Sequence, residues 1–361
     1  MFYGEANRDF VSGHSSPGGL FCPLSRGTQP SPYLTVRIAS KKRIAYLWKS
    51  HDKKIRTIMG KHGLLTAALC LLACLVSSCR PERNVKAGHV ILIGLDGWGA
   101  YSLPKAEMPN VKELMANGSY TLKKRSVLPS SSAVNWASMF MGAGPEIHGY
   151  TEWGSKTPEL PSRVLNENGI FPTVFQLLRD ARPEAEICCM YEWDGIKYLV
   201  DTAALSYHYH AADYGKTPED LGNAASAYIM EKHPDLMAVC YDNPDHVGHV
   251  DGHDTPAYYE KLKELDRYVG QIVQATKDAG IFDDTVFIVT ADHGGINRGH
   301  GGKTMTEMET PFIICGESVR KGYCFDDISV TQFDVAATIA RIFGLEQPQA
   351  WIGRPVDVIF E

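Results

Sequence analysis

Five short, continuously apolar runs alternate with amphipathic stretches from residue 89 onward, and few folds accept that alternation. HVILIGLD (89–96), EICCMYEW (186–193), LMAVCYDN (236–243), TVFIVTAD (285–292) and TPFIICG (310–316) have the Val/Ile/Leu-rich character of strands buried on both faces. Between them, residues 108–118, 171–183, 217–234, 255–280 and 331–344 space their apolar residues as helices do, and several open on Thr and close on Gly or Pro. The expected fold class is α/β: a doubly wound, mainly parallel central sheet with helices on both faces, whose working edge lies beyond the carboxyl ends of the strands.

Charge divides the chain. Residues 1–58 hold ten Lys/Arg against three acids, so the overall −6 conceals a basic leader and an acidic remainder of −13. That remainder argues against nucleic-acid binding, which depends on neutralising phosphates. From Met59 the sequence reads MGKHGLLTAALCLLACLVSSC: a basic start, an apolar run too short to span a bilayer, and small residues before a cysteine. This layout fits a secretory signal, and Val76-Ser77-Ser78-Cys79 resembles a bacterial lipobox with Cys79 as the lipidated mature end. The expected divisions are a basic leader over 1–58, misassigned or disordered, with translation starting at Met59; a lipoprotein signal over 59–78; a linker over 79–87; and one catalytic domain over 88–361. The expected location is the bacterial cell envelope, lipid-anchored at its periplasmic or surface face, with the membrane as a partner through Cys79. The later cysteines, Cys188, Cys189, Cys240, Cys315 and Cys324, lack the paired spacing of a thiolate zinc site and read mostly as core.

Three of the expected strands are followed within a few residues by a carboxylate: Asp96, Asp245 and Asp292. A lone strand-end Asp is commonly a cap or turn residue. Here His249 lies four residues beyond Asp245 in PDHVGH, His293 directly follows Asp292, and His300 comes shortly after in GHGG. Oxygen and imidazole donors suit zinc and similar divalent ions, and two such ions held close together suit displacement at phosphorus. A nucleophile is available in LPSSSAVNWASMFMG (128–142), where a serine cluster opens an expected helix and faces the positive end of its dipole.

In this order the motifs resemble the alkaline phosphatase superfamily, and within it the type I phosphodiesterase/nucleotide pyrophosphatase family, from about residue 88 to 355. The resemblance implies Ser132 as nucleophile, where the family more often has Thr, and Asn135 as the amide that donates to a non-bridging phosphoryl oxygen. It implies two divalent metal ions, zinc first: one held by Asp96, Ser132, Asp292 and His293, the other by Asp245, His249 and His300. His300 arrives earlier than in many relatives; short relatives acting on lipid-linked phosphoethanolamine share its pattern, matched here by Asp292, His300, Glu307 or Glu309, Thr310 and Pro311. The implied activity is hydrolysis of a small phosphodiester or nucleotide pyrophosphate. A phosphomonoesterase or a phosphoethanolamine- or phosphonate-type enzyme would use the same ligands. A sulfatase does not fit, because Cys22-Pro23-Leu24-Ser25-Arg26 misses the C/S-x-P-x-R spacing and precedes the signal. From a different class, a non-catalytic surface lipoprotein on a degenerate scaffold would have lost ligands, whereas all seven positions are present.

His208, His210, His246 and His253 read as satisfied surface or rim residues. Tyr101, Trp98, Trp136 and Trp153 read as residues that pack or line a pocket, with Trp136 or Trp153 as a candidate stacking wall.

Overall fold

The computed structural model describes residues 87–211 and 218–361. The leader, the signal, Cys79, nearly all of the linker and Thr217 lie outside the described residues. Eight strands form one sheet: β1 (His89–Leu95), β2 (Ser119–Arg125), β3 (Ile187–Tyr191), β4 (Tyr207–His210), β5 (Leu236–Tyr241), β6 (Thr285–Thr290), β7 (Glu309–Cys315) and β8 (Tyr323–Cys324). Their spatial order is β4-β3-β5-β1-β6-β7-β2-β8.

β1, β3, β4, β5 and β6 run parallel, with β1 at the centre. β7 pairs antiparallel with both β6 and β2. All five expected strands therefore exist, but β7 reverses direction: a fully apolar run fits either direction.

The helices are α1 (Pro109–Ala116), α2 (Ser132–Met141), α3 (Pro145–His148), α4 (Val174–Ala181), α5 (Pro218–Lys232), α6 (Asp245–Asp251), α7 (Pro256–Asp278), α8 (Met305–Met308) and α9 (Asp334–Phe343). Successive β1 side chains point to opposite faces, which assigns the helices to two layers. Val90 and Leu92 pack with α2, α4 and α9 on one face. Ile91, Ile93 and Leu95 pack with α1, α5 and α7 on the other. Thr173 and Thr255 cap α4 and α7 by accepting from Gln176 N and Tyr258 N, as their positions in the sequence imply. Cys188, Cys189, Cys240 and Cys315 are buried free thiols, and Cys324 is exposed.

Candidate metal and nucleophile site

β5, β1 and β6 are neighbours, so the residues just beyond their carboxyl ends meet. Asp96 follows β1 directly, Asp245 opens α6 after β5, and Asp292 lies two residues beyond β6. All three are buried. Gly97 makes the turn possible: its φ of +70° favours glycine, and its N–H donates to Asp292 Oδ1 at 3.1 Å. The His293 N–H reaches the same oxygen at 2.8 Å.

Two sets of donors result. Around His293 Nε2 lie Ser132 Oγ at 3.1 Å, Asp292 Oδ2 at 3.2 Å and Asp96 Oδ1 at 3.4 Å. Around Asp245 Oδ2 lie His249 Nε2 at 3.0 Å and His300 Nε2 at 3.7 Å. Ser132 starts α2, its hydroxyl meeting the cluster, while Ser130 turns away to bind the loop that carries His300.

The protons on the imidazoles are assignable. Carbonyl oxygens only accept, so His293 Nδ1–H donates to Gly294 O at 2.8 Å, His249 Nδ1–H to Arg298 O at 3.0 Å, and His300 Nδ1–H to Ser130 O at 3.1 Å. His293 and His300, kept neutral by burial, then present an Nε2 lone pair to carboxylate oxygens, while His249, which shares a proton with Asp245, donates its Nε2–H to Asp245 Oδ2. Asp96 Oδ1 and Asp292 Oδ2, which face His293, are buried without a hydrogen-bond partner. The donor atoms are spaced as ligands of one zinc ion are, about 3.4 Å apart for bonds of about 2.0–2.1 Å in tetrahedral geometry. The residues therefore fit divalent metal ions. Asp96, Asp292 and His293 form one group able to hold an ion, and Asp245, His293 and His300 another.

Burial first, then the charges of Asp292 and Asp245, hold the Asp96 carboxyl well above the usual range. Burial pushes Asp292 up to about 7. Burial also raises Asp245, but the His249 hydrogen bond and the charges of His293 and His300 outweigh it and bring the group below the usual range. His249 is raised to about 9, chiefly by its bond to Asp245.

Several supporting residues depart from the sequence reading. Trp136 is no stacking wall: it is buried against Gly94, where a Cβ would sit 2.2 Å from its ring, and its indole N–H donates to Asp96 Oδ2 at 2.9 Å. Asn135 does not present a free amide. It is fully buried, its Oδ1 accepts from Val127 N, and its Nδ2 donates to Val127 O, Pro129 O and Ser131 O, so it shapes the loop before Ser132. Trp153 is 69% exposed, and its carbonyl accepts from Ala133 N beside Ser132. Of Glu307 and Glu309, Glu307 braces the His300 loop by accepting from Gly302 N, Thr304 N and Thr304 Oγ, while Glu309 pairs with Arg125.

Lys124 has no place in the sequence pattern, and His253 differs from its expected one. Lys124 is completely buried in β2, where its ammonium donates to Ala291 O at 2.8 Å and to Gln332 Oε1, behind Asp292; burial lowers it to about 7. His253 is a buried neighbour of Asp245, not a rim residue. His208 and His210 do lie outside the cluster, on edge strand β4.

A carboxylate and imidazole cluster beside a helix-borne hydroxyl, at the carboxyl edge of a mainly parallel sheet, places the molecule among the alkaline phosphatase-like α/β proteins. Murine ectonucleotide pyrophosphatase/phosphodiesterase 5 shares the fold with a TM-score of 0.62 at 15% identity, over 76% of this chain and 100% of that one. Residues 90–310 match the type I phosphodiesterase / nucleotide pyrophosphatase family, and the chain belongs to it. Among curated relatives, bis(5'-adenosyl)-triphosphatase ENPP4 of Bos taurus is 23% identical over 238 residues, 63% of this chain and 52% of that protein. GPI ethanolamine phosphate transferase 3 of Schizosaccharomyces pombe is 27% identical over 168 residues, 45% of this chain and 18% of that protein. The chain thus spans about half the length of the first and a smaller part of the second.

Proposed function

We propose that this chain is a metal-dependent hydrolase of phosphoric ester or phosphoanhydride bonds, of the phosphodiesterase/nucleotide pyrophosphatase type, with Ser132 as nucleophile. The observation that carries this reading is the convergence of the Nε2 atoms of His249, His293 and His300 with carboxylate oxygens of Asp96, Asp245 and Asp292 beside the Ser132 hydroxyl. Asp96, Ser132, Asp292 and His293 would hold one ion, and Asp245, His249 and His300 the other, with zinc best suited to this donor set. Two such ions supply charge stabilisation at the phosphoryl oxygens and a lowered pKa for bound hydroxyl or water.

The chain's own residues orient and position. Trp136 fixes Asp96; Gly97 N and His293 N fix Asp292; carbonyls of Gly294, Arg298 and Ser130 fix the three imidazoles. Ser131, at the N-cap of α2, makes no side-chain cap bond, which leaves that helix terminus uncapped by a side chain where a phosphoryl group would sit. Ser132 Oγ forms the bond to phosphorus as the bond to the leaving oxygen breaks; water then displaces the serine oxygen and restores the hydroxyl.

The substrate in this reading is a small phosphorylated molecule, a nucleotide or another phosphodiester. An enzyme acting on phosphoethanolamine esters is the second reading, favoured by the placement of His300 in the same loop as His293, braced by Glu307. Anchoring through a lipidated Cys79 in a bacterial envelope is part of the proposal and rests on the 59–79 sequence; mass spectrometry of the purified mature chain would reveal a diacylglyceryl Cys79 or an unmodified residue. Turnover of a chromogenic phosphodiester against the matching monoester, by zinc-loaded protein, tests the activity. Preference for the diester supports the reading, preference for the monoester moves the chain to the phosphatase branch, and no turnover of either favours a binding protein.

A further inference from the structure

The hydrolase reading leaves one buried imidazole in the site without a task. The His253 side chain is entirely buried, and neither ring nitrogen has a hydrogen-bond partner among the described residues. Its ring is seated by shape. A Cβ on Gly248 would come within 2.4 Å of the ring, and one on Gly295 within 2.2 Å, so two glycines clear the space it fills. Tyr258 packs against it with ring centroids 5.4 Å apart, and the His253 N–H donates to Asn297 O, tying it to the loop that leads to His300. Burying unmet polar atoms is costly, so such a ring is a poor choice for mere filling.

Facing it is Asp245 Oδ1, 3.5 Å from His253 Nε2 and equally buried and unpartnered. The two oxygens of Asp245 are thus divided: Oδ2 faces His249 and His300, and Oδ1 faces His253. Gly97 confines the carboxylate from another side, since a Cβ there would lie 2.6 Å from Oδ1. His253 also differs from the other three histidines of the site. Each of those has its Nδ1–H fixed by a bond to a carbonyl. His253 has no such bond, so its proton is free to reside on Nε2.

We propose that His253 is a positioning residue of the metal site: its Nε2–H serves Asp245 Oδ1 and turns Oδ2 toward the ion shared with His249 and His300. This rests on the two-metal reading and deepens it, adding a partner that fixes a ligating carboxylate from behind.

The test is zinc binding to the metal-free full chain, by competition with a chromophoric chelator, for wild type, His253→Gln and His253→Phe. Gln keeps an N–H near the Nε2 position; Phe keeps a ring of similar size and donates nothing. The expected result is a loss of about 10- to 100-fold in affinity for one of two zinc equivalents in His253→Phe, and near wild-type binding in His253→Gln. Should the Phe variant not fold, His253→Ala replaces it, with added imidazole expected to restore the lost affinity. Wild-type binding in His253→Phe, or a Gln variant as weak as Phe, overturns the proposal; the latter outcome would make the imidazole itself a ligand. A wild-type chain that binds no zinc contradicts the two-metal reading instead, so the two failures are distinguishable.

Discussion

The Trp136 indole N–H lies 2.9 Å from Asp96 Oδ2, across the opening that Gly94 leaves in the central strand. One carboxylate oxygen is thereby held by α2 while the other, Oδ1, faces His293. The helix that carries Ser132 therefore also orients a carboxylate of the cluster.

Trp136→Phe keeps an aromatic ring in the core but removes this donor. We expect metal affinity and kcat/KM to fall about 10- to 100-fold, the range for outer partners of metal ligands. Chelator competition and steady-state turnover check it; unchanged affinity would mean that Asp96 needs no orienting bond.

Glu307 accepts from Gly302 N, Thr304 N and Thr304 Oγ, closing a capping box at α8 and bracing the loop behind His300. Glu307→Ala should destabilise the fold by about 1–3 kcal/mol through unmet buried donors. It should also weaken zinc binding beyond that loss, because His300 would no longer be held. Urea denaturation of the metal-free protein separates the two effects.

His148 gives a pH dependence remote from the metal cluster. It is fully buried; its Nδ1 accepts from Tyr150 N, so Nε2–H donates to Ser138 Oγ, and burial lowers it to about 3. The folded chain keeps this ring neutral while the unfolded chain protonates it below about 6.5, so its contribution is complete above that pH and is lost as pH falls toward 3. Stability should drop on the order of 1 kcal/mol per pH unit on this account. Urea midpoints between pH 7 and 5 should fall less steeply in His148→Gln than in wild type; parallel slopes would contradict the assignment.

The legibility of this chain follows burial. β1, β3, β5, β6 and β7 stand out as apolar runs because their residues are buried on both faces. β2 (SYTLKKR) hides its strand character behind three cations, although Lys124 is buried, and β4 (YHYH) is a partly exposed edge with no apolar run. The direction of β7 depends on its connection, which composition does not encode. In the site, the Asp and His positions were legible because three strand ends converge. The roles of Trp136, Lys124 and His253 were not, since each depends on a contact between distant segments: Trp136 with Asp96, Lys124 with Ala291, and the Asp245–His253 pair with the glycines around it. The contacts of the Asn135 amide with Val127, Pro129 and Ser131 were not legible either.

Ser132 acting as a nucleophile inside a two-metal cluster is the core of the proposed function. The most direct measurement pairs chromogenic phosphodiester turnover with bound-metal content for wild type and Ser132→Ala, each before EDTA treatment, after it, and after zinc is restored. The prediction is two zinc equivalents and turnover in wild type, loss of both in EDTA with recovery on zinc addition, and turnover at least about 10³-fold lower in Ser132→Ala even when zinc is bound. Undiminished turnover in Ser132→Ala, or wild-type turnover that survives complete metal removal, would contradict it.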